Sequence, residues 1–207
     1  MTASYANDWQ CSSSHRTLTL TLSHGEREPD EPMSSHRSIA LPGLGESRQG
    51  KALGTIYDDA PAILVHADVL DEVVLEYSAR DLRRERGAFL LGVRYETPRP
   101  AIEIRHYLPA IDTRNEAASI TFTHDTWSAL HREAAAQYPD DIVLGWHHTH
   151  PGFGIFLSPY DLFLHRHFFS EPWQVALVVD PRRCEFGFFQ WRGGEIVDCG
   201  FVCVEER

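Results

Sequence analysis

The sequence predicts one α/β domain built on a mixed β-sheet, and three observations lead to this fold class. From about residue 56 onward, segments with helical spacing of apolar residues alternate with short β-branched and aromatic runs. Hydrophobic residues make up 43% of the chain, which is enough for a substantial core. A length of 207 residues fits one domain with a tail, or at most two small domains.

The N-terminal segment has a different composition from the remainder. Residues 1–55 are rich in Ser, Thr, Glu and Pro and contain few large apolar residues. Such a segment cannot bury enough surface to offset the entropy lost on ordering. We therefore expect a disordered or loosely attached tail over 1–55 and a folded domain over 56–207. Part of the tail resembles translated intergenic repeat DNA, which makes Met33 a candidate native start.

Three helices are expected within the domain. The first is predicted from apolar residues at helical spacing, namely Val69, Leu70, Val73, Val74 and Tyr77. The second spans 124–138 and ends before Pro139. The third spans 159–170.

The strands are predicted from apolar, β-branched and alternating runs. They cover 87–96, 101–111, 119–123, 141–150, 173–180, 185–191 and 195–204. A Gly-Gly turn connects the last two.

Charge and composition exclude several functions. The net charge of −11 argues against a general nucleic-acid-binding role, which needs a clustered basic face. No apolar run approaches the ~20 residues of a membrane span, and no secretory signal is visible, so we expect a cytoplasmic protein. The four cysteines form no C-x-x-C pair, which argues against a zinc knuckle. We expect buried strand thiols at Cys184, Cys199 and Cys203.

The segment "HHTHPGFGIFLSPYD", residues 147–161, contains the strongest functional signal. In a strand, His148 and His150 point to one face, whereas His147 points to the other. Two imidazoles about 7 Å apart along a strand can share a zinc ion at ~2.0–2.1 Å each. Alternation therefore selects two of the three histidines as candidate ligands.

A serine and an aspartate follow at the predicted start of the third helix. Ser158 is a good N-cap residue and Asp161 falls at the third helical position, so S-x-x-D is close to a capping box that needs no active site. Alternatively, Asp161 completes a metal site with the two histidines. The two interpretations compete for the same carboxylate.

Two histidines and one aspartate would leave a fourth zinc position open. A catalytic zinc uses such a position for water, whose pKa it lowers to ~7. The candidate base is Glu85, at the mouth of a buried strand. Ser158 is the candidate oxyanion donor.

The combined pattern, H-x-H, seven residues, then S-x-x-D, resembles the JAMM motif of catalytic MPN-domain metalloproteases. The family also carries an upstream E-x-G-G-x-L-L-G pattern. Here it is matched by Glu85, Gly87, Leu90, Leu91 and Gly92, with Ala88 at the second small position. "HTHPGFGIFLS" is similar to the version in proteasome-lid and signalosome isopeptidases. The resemblance covers roughly residues 60–205.

The resemblance implies an MPN (JAB) fold, with a curved mixed sheet flanked by helices and a likeness to cytidine deaminases. It implies that His148, His150 and Asp161 ligate Zn²⁺. It further implies that Glu85 accepts the proton of the attacking water and delivers it to the leaving amine. Ser158 and zinc then share the developing negative charge.

The expected activity is zinc-dependent isopeptidase or peptidase cleavage after the C-terminal tail of a ubiquitin-like protein. Activating (E1-like) and conjugating (E2-like) enzymes are expected partners by analogy. One alternative is a JAMM amidase that trims a sulfur-carrier protein or a small peptide, and another is a non-catalytic MPN scaffold. A groove for the extended tail is expected at Phe153, Gly154, Ile155, Phe156 and Leu157. His165 and His167 diverge on their helix and are expected at the surface.

Overall fold

A ten-stranded mixed sheet forms the centre of the domain. The computed structural model describes residues 36–40, 47–96, 99–110, 114–116 and 119–204. The strands are β1 His36–Ala40, β2 Ser47–Leu53, β3 Ala62–His66, β4 Gly87–Tyr95, β5 Ala101–Pro109, β6 Arg114–Glu116, β7 Ser119–Thr121, β8 Ile142–Thr149, β9 Val175–Asp180, β10 Glu185–Arg192, β11 Glu195–Cys199 and β12 Phe201–Val204.

The spatial order of the large sheet is β1-β2-β12-β3-β5-β4-β8-β9-β10-β11, and β6 and β7 form a separate hairpin. Pairing is parallel between β12 and β3, between β3 and β5, and between β8 and β9. The other neighbours are antiparallel. The predicted mixed α/β architecture is therefore confirmed.

The three predicted helices are present. The first begins as α1 (Ala67–Leu70) and continues as a π-helical stretch (Asp71–Tyr77) and a 3-10 turn (Ser78–Arg80). The others are α2 (His124–Gln137) and α3 (Pro159–Phe168). No helix among the described residues combines the length and apolar character needed to cross a bilayer.

The helices cover both faces of the sheet. The first helical segment packs in one core cluster, which includes Leu90 of β4. Helices α2 and α3 supply Leu130 and Leu164 to a second cluster, which includes Phe89 and Leu91. Because successive residues of β4 enter different clusters, this strand is buried on both faces.

Strand β8 contains a bulge that sets the direction of its last residues. Gly145 pairs with Leu90, whereas Val143 pairs with Leu91, so Leu144 is the extra residue. Leu144 belongs to the first core cluster and Trp146 to the second, although they are two residues apart. The bulge thus directs the even-numbered residues after it towards α3.

The predicted strand 195–204 is divided into two. Strand β11 pairs with β10, whereas β12 pairs with β2 and β3. Between them, a Cβ on Gly200 would lie 2.3 Å from the carbonyl oxygen of Leu53. The chain can therefore cross here only with glycine.

Strand β2 lies before the predicted domain boundary at residue 56, yet it pairs with β12. Ser47–Leu53 therefore belongs to the sheet. Residues 1–35 and 41–46 lie outside the described part, so the division at residue 56 and the start at Met33 stay predictions. Cys184 lies in the turn before β10 with a φ of 55°, rather than in a strand as predicted.

Candidate metal centre

Two histidines at the end of β8 and an aspartate at the start of α3 converge inside the protein. The Nε2 atoms of His148 and His150 lie 3.0 Å apart. Oδ2 of Asp161 lies 3.5 Å from each of them. All three side chains are buried, and together they could hold a metal ion.

The spacing of these three atoms fits a tetrahedral zinc site. Zinc bonds of ~2.0–2.1 Å place neighbouring ligand atoms of a tetrahedron roughly 3.3 Å apart. The observed separations of 3.0, 3.5 and 3.5 Å lie on both sides of that value. Three ligands also leave a fourth position open, as catalytic rather than structural zinc sites do.

The other ring nitrogen of His150 fixes which nitrogen faces the cluster. Nδ1 lies 3.3 Å from the carbonyl oxygen of Gly154. Because a carbonyl only accepts, this hydrogen bond requires the proton on Nδ1 and leaves the Nε2 lone pair for a metal. The loop around Gly154 therefore orients the ring.

Asp180 holds that loop in place. Its Oδ1 accepts the N–H of Gly152 and its Oδ2 accepts the N–H of Gly154, each at 2.8 Å. Both glycines have positive φ, 89° and 87°, which glycine adopts without strain. Asp180 itself is fully buried. The sequence prediction missed this residue, since nothing local distinguishes an acid at the end of a strand.

His148 is held by stacking. Its ring lies on Trp146 at a centroid distance of 4.4 Å and an angle of 11°. Burial lowers the pKa of His148, and hydrogen bonding to Asp161 opposes this only in part. The neutral imidazole that results is the form that ligates metals. Its Nδ1 is buried without a hydrogen-bond partner among the described residues.

His147 points to the opposite face, as strand alternation predicts. Its Nδ1 lies 3.1 Å from the carbonyl oxygen of Leu177 and its Nε2 lies 3.1 Å from Oγ of Ser78. Burial lowers the pKa of His147 to about 3. This histidine connects β8 to the first helical segment and lies outside the cluster.

Asp161 takes part in a helix cap and in the cluster with the same oxygen. The N–H of Ser158 donates to Asp161 Oδ2 at 2.7 Å, and the N–H of Asp161 donates to Ser158 Oγ at 3.2 Å. A carboxylate oxygen has two lone pairs, so it can accept from the backbone and still face the histidines. The two interpretations that compete in the sequence are therefore compatible.

The charge state of Asp161 suits a metal ligand. Burial acts to raise the pKa of Asp161, but hydrogen bonds to His148 and His150 hold it well below its ordinary value. The same interactions, together with Glu85, raise the pKa of His150 against the effect of burial. A permanently ionised carboxylate beside two imidazoles is a set of donors for a divalent cation.

Glu85 faces the cluster from the segment before β4. Its Oε1 lies 4.0 Å from Nε2 of His150, and its side chain is buried. Burial raises the pKa of Glu85 to about 7, His150 opposes this, and Asp161 adds to it. A carboxyl group that titrates near neutrality can take up and release a proton under physiological conditions.

The backbone next to Glu85 is tied to the strand that carries the two histidines. The N–H of Arg86 donates to Oγ1 of Thr149 at 2.9 Å, and the N–H of Thr149 donates to the carbonyl oxygen of Arg86 at 3.0 Å. The hydroxyl of Tyr77 donates to the carbonyl oxygen of Gly87 at 2.6 Å. The sequence prediction missed Thr149 and Tyr77, because only tertiary pairing brings these segments together.

The segment predicted as a groove is partly exposed beside the cluster. Phe153 is 62% exposed, the highest value among the large apolar side chains of the described residues, and Phe156 is 44% exposed. The ring of Phe156 lies 4.7 Å from the ring of the second clustered histidine. Gly154 is buried, whereas Ile155 and Leu157 are half-buried. The role of these five residues as a groove stays a prediction.

His165 was expected at the surface, and this expectation is wrong. Its ring is fully buried, and its Nδ1 accepts a hydrogen bond from Nε1 of Trp146 at 3.0 Å. Burial lowers the pKa of His165 to about 4. The reason is that α3 packs this side against β8 and against Trp191, whose ring lies 5.5 Å away. His167 is exposed as expected.

Comparisons with curated proteins find short local similarities. Over 43 residues the chain is 49% identical to the 26S proteasome non-ATPase regulatory subunit 14 of Dictyostelium discoideum, covering 20% of this chain and 14% of that protein. It is also 49% identical over 43 residues to the COP9 signalosome complex subunit 5 of Caenorhabditis elegans, covering 20% and 11%. A third similarity, 29% over 70 residues, is to the NAD(+) hydrolase TcpA of Theionarchaea archaeon (strain DG-70-1), covering 33% and 21%.

The similarities to the proteasome and signalosome subunits support a relationship to the MPN/JAMM proteins. The aligned segments span about a fifth or less of the length of these curated relatives. No protein-family model matches the chain.

The fold is similar to a solved structure. The solution structure of protein DSY2949 from Desulfitobacterium hafniense aligns with a TM-score of 0.54 and 18% identity. The alignment covers 70% of this chain and 94% of that one. At this level of identity the similarity concerns the fold alone.

Proposed function

We propose that this protein is a zinc-dependent hydrolase with an MPN-type, cytidine-deaminase-like fold, acting in the cytoplasm. It cleaves the amide bond after the C-terminal tail of a ubiquitin-like protein, by deconjugation or by precursor processing. The observation that carries this proposal is the convergence of Glu85 on the three clustered ligands. The short similarities to proteasome and signalosome subunits support it.

In this proposal His148, His150 and Asp161 hold the zinc ion. Zinc in an open site supplies Lewis-acid chemistry, since it lowers the pKa of water to ~7 and polarises a carbonyl. The chain prepares the ligands for this role. The carbonyl oxygen of Gly154, 3.3 Å from Nδ1 of His150, keeps the ring proton on that nitrogen. Burial keeps His148 neutral.

Glu85 moves the proton. It accepts a proton from the attacking water and donates it to the leaving amine, so the carboxyl group returns to its starting state. Burial acts to raise the pKa of the Glu85 carboxyl group, which favours its uptake of the proton from water. Burial, which raises this pKa, also keeps competing solvent away.

Ser158 stabilises the developing oxyanion. Its Oγ accepts the N–H of Asp161 at 3.2 Å, so the hydroxyl proton stays available for donation. A donor fixed before the reaction stabilises the developing charge without reorganisation. The proposed groove, Phe153 to Leu157, holds the extended tail of the substrate, and E1-like and E2-like enzymes are proposed partners.

The test is cleavage by the zinc-loaded protein of two substrates made from a ubiquitin-like protein. One carries a C-terminal extension and the other is joined to a lysine through an isopeptide bond. We expect a single cut after the tail, identified by mass, that is lost with a chelator and restored by zinc.

Other outcomes distinguish the remaining functions. Cleavage of only a sulfur-carrier protein or small amides would indicate the amidase alternative. A zinc-free protein that binds a partner without cleaving it would indicate a scaffold. Hydrolysis of NAD⁺ without peptide cleavage would contradict the proposal, and the short similarity to an NAD(+) hydrolase makes NAD⁺ a necessary control.

A further inference from the structure

Two arginine-rich segments meet beside the candidate metal centre. They contain six arginines, of which the five exposed ones are here called the arginine surface: Arg80, Arg83, Arg84, Arg182 and Arg183. The two segments are joined by a hydrogen bond from Nε of Arg182 to the carbonyl oxygen of Leu82, at 2.9 Å and 100 positions apart in sequence. Only the folded chain brings them together.

The arginine surface contacts the elements that carry the site. The Cδ of Arg182 lies 3.4 Å from where a Cβ on Gly152 would be, and Nη1 of Arg183 lies 3.1 Å from that position on Gly154. These glycines belong to the loop that orients one clustered histidine. The other segment contains Glu85 itself. The positive charge therefore borders the site on two sides.

Carboxylates neutralise this charge only in part. Oδ1 of Asp81 accepts the backbone N–H groups of Arg83 and Arg84, at 2.8 and 3.1 Å. Asp180 pairs with Arg183 at 3.5 Å but is fully buried. Across the described residues, no carboxylate forms an ion pair with Arg80, Arg83 or Arg84, and all three are exposed.

The local sign of charge is opposite to that of the whole protein. The chain has a net charge of −11, yet five of its nineteen basic residues lie on this surface. An acidic protein with a small basic surface attracts an acidic partner to that place and repels it elsewhere. The exposed Phe153, between the two glycines of the loop, adds an apolar contact.

We propose that the arginine surface binds an acidic, extended polypeptide segment next to the candidate metal centre. A polypeptide fits better than a nucleic acid, because the negative charge of the remaining surface would repel a long phosphate backbone. That this segment belongs to the cleaved substrate rests on the proposed function. The binding of an acidic segment to the arginine surface does not depend on the proposed function.

The test uses the full chain and fluorescein-labelled peptides, read by fluorescence anisotropy. The probe is a ten-residue peptide of alternating Glu and Gly, and the comparison is the same peptide with Lys in place of Glu. We expect binding of the glutamate peptide only, weakened at least tenfold when ionic strength rises from roughly 0.05 M to roughly 0.5 M.

Charge reversal at two exposed positions locates the binding. In the double variant R83E/R84E the affinity should fall about tenfold or more, because two attractions become repulsions. The matched control R94E/R132E makes the same change in net charge at exposed positions outside the arginine surface and should stay within about twofold. The milder R83Q/R84Q, checked by circular dichroism, should give an intermediate loss.

Three results would overturn the proposal. One is equal binding of the lysine and glutamate peptides, or no binding of either. Another is an equal loss of affinity in the control R94E/R132E. The third is tighter binding of a ten-nucleotide single strand than of the glutamate peptide, which would reassign the surface to nucleic acid. All three are independent of cleavage, so they separate this proposal from the proposed function.

Discussion

Thr149 and Arg86 are joined by two hydrogen bonds that fix the distance between the proposed base and the proposed metal. The hydroxyl oxygen of Thr149 accepts from the N–H of Arg86 at 2.9 Å, and its own N–H donates to the Arg86 carbonyl at 3.0 Å. Thr149 lies between the two clustered histidines, and Arg86 follows Glu85 directly. The buried Thr149 thus connects β8, the strand of the two clustered histidines, to the segment that carries Glu85.

Replacing Thr149 with valine should lower turnover and leave zinc binding intact. Thr149→Val removes only the acceptor, so the Arg86 N–H is left unpaired and Glu85 loses its fixed position. A misplaced catalytic group costs roughly 10- to 100-fold in rate. Steady-state kinetics should show this loss in kcat rather than KM, with faster amide exchange at Arg86. Thr149→Ser keeps the acceptor and should restore both kcat and slow amide exchange at Arg86. Equal turnover rates in the valine variant and the wild type would refute the proposed role of Thr149 in positioning Glu85.

Replacing Asp180 with asparagine should weaken zinc binding. Both carboxylate oxygens of Asp180 accept N–H groups from the glycine loop, at 2.8 Å each. An asparagine amide turns one of these contacts into two opposed donors, and the loop no longer orients His150. Loss of a residue that orients a metal ligand typically lowers metal affinity about 10- to 100-fold. Competition with a chelator measures the zinc affinity. The control variant Asp198→Asn, at an exposed site on β11, should leave the zinc affinity unchanged.

His165 should make stability depend on pH in a predictable direction. In the folded protein the pKa of His165 is lowered from 6.5 to about 4, chiefly by burial. Above pH 6.5 the histidine is neutral in both the folded and the unfolded chain, so its contribution to the free energy of unfolding is fully present. As the pH falls towards 4, protonation favours the unfolded chain, and on the order of 2–3 kcal/mol of the free energy of unfolding is lost.

His165→Gln keeps an acceptor for Trp146 and does not titrate. Denaturant unfolding from pH 7 to pH 4 should therefore show a smaller decline in the variant than in the wild type. Parallel declines would show that this histidine does not titrate in the way its burial requires.

Phe153 should contribute to substrate binding. Its side chain is 62% exposed beside the cluster, and burial against a peptide would contribute roughly 1 kcal/mol. Phe153→Ala should therefore raise KM about fivefold without changing kcat or zinc content. Phe168→Ala, at a 46% exposed position on α3, is the matched control. An equal rise in KM for both variants would argue against a groove at this loop.

The parts of the candidate site that the sequence predicts are those set by local geometry. The two-residue period of a strand selects His148 and His150 over His147. The position of Ser158 at a helix start places Asp161 in the first turn of α3. Both depend only on neighbouring residues, so pattern analysis reaches them.

The missed features depend on pairing between distant segments. Asp180 and Thr149 gain their roles only when β9, β8 and the segment before β4 are adjacent. The burial of His165 follows from packing between α3 and β8. The arginine surface arises from a contact across 100 positions. Period and composition contain no information on such contacts.

The most direct test of the proposed hydrolytic site compares Glu85→Gln with His148→Ala for zinc content and for cleavage of the C-terminally extended ubiquitin-like protein. Glutamine keeps the size of the side chain but cannot accept a proton, so Glu85→Gln should bind zinc like the wild type and cleave roughly 100- to 10,000-fold more slowly. His148→Ala should lose both zinc and cleavage. Unchanged turnover in zinc-loaded Glu85→Gln would contradict the proposal that Glu85 and the three clustered ligands form one hydrolytic site.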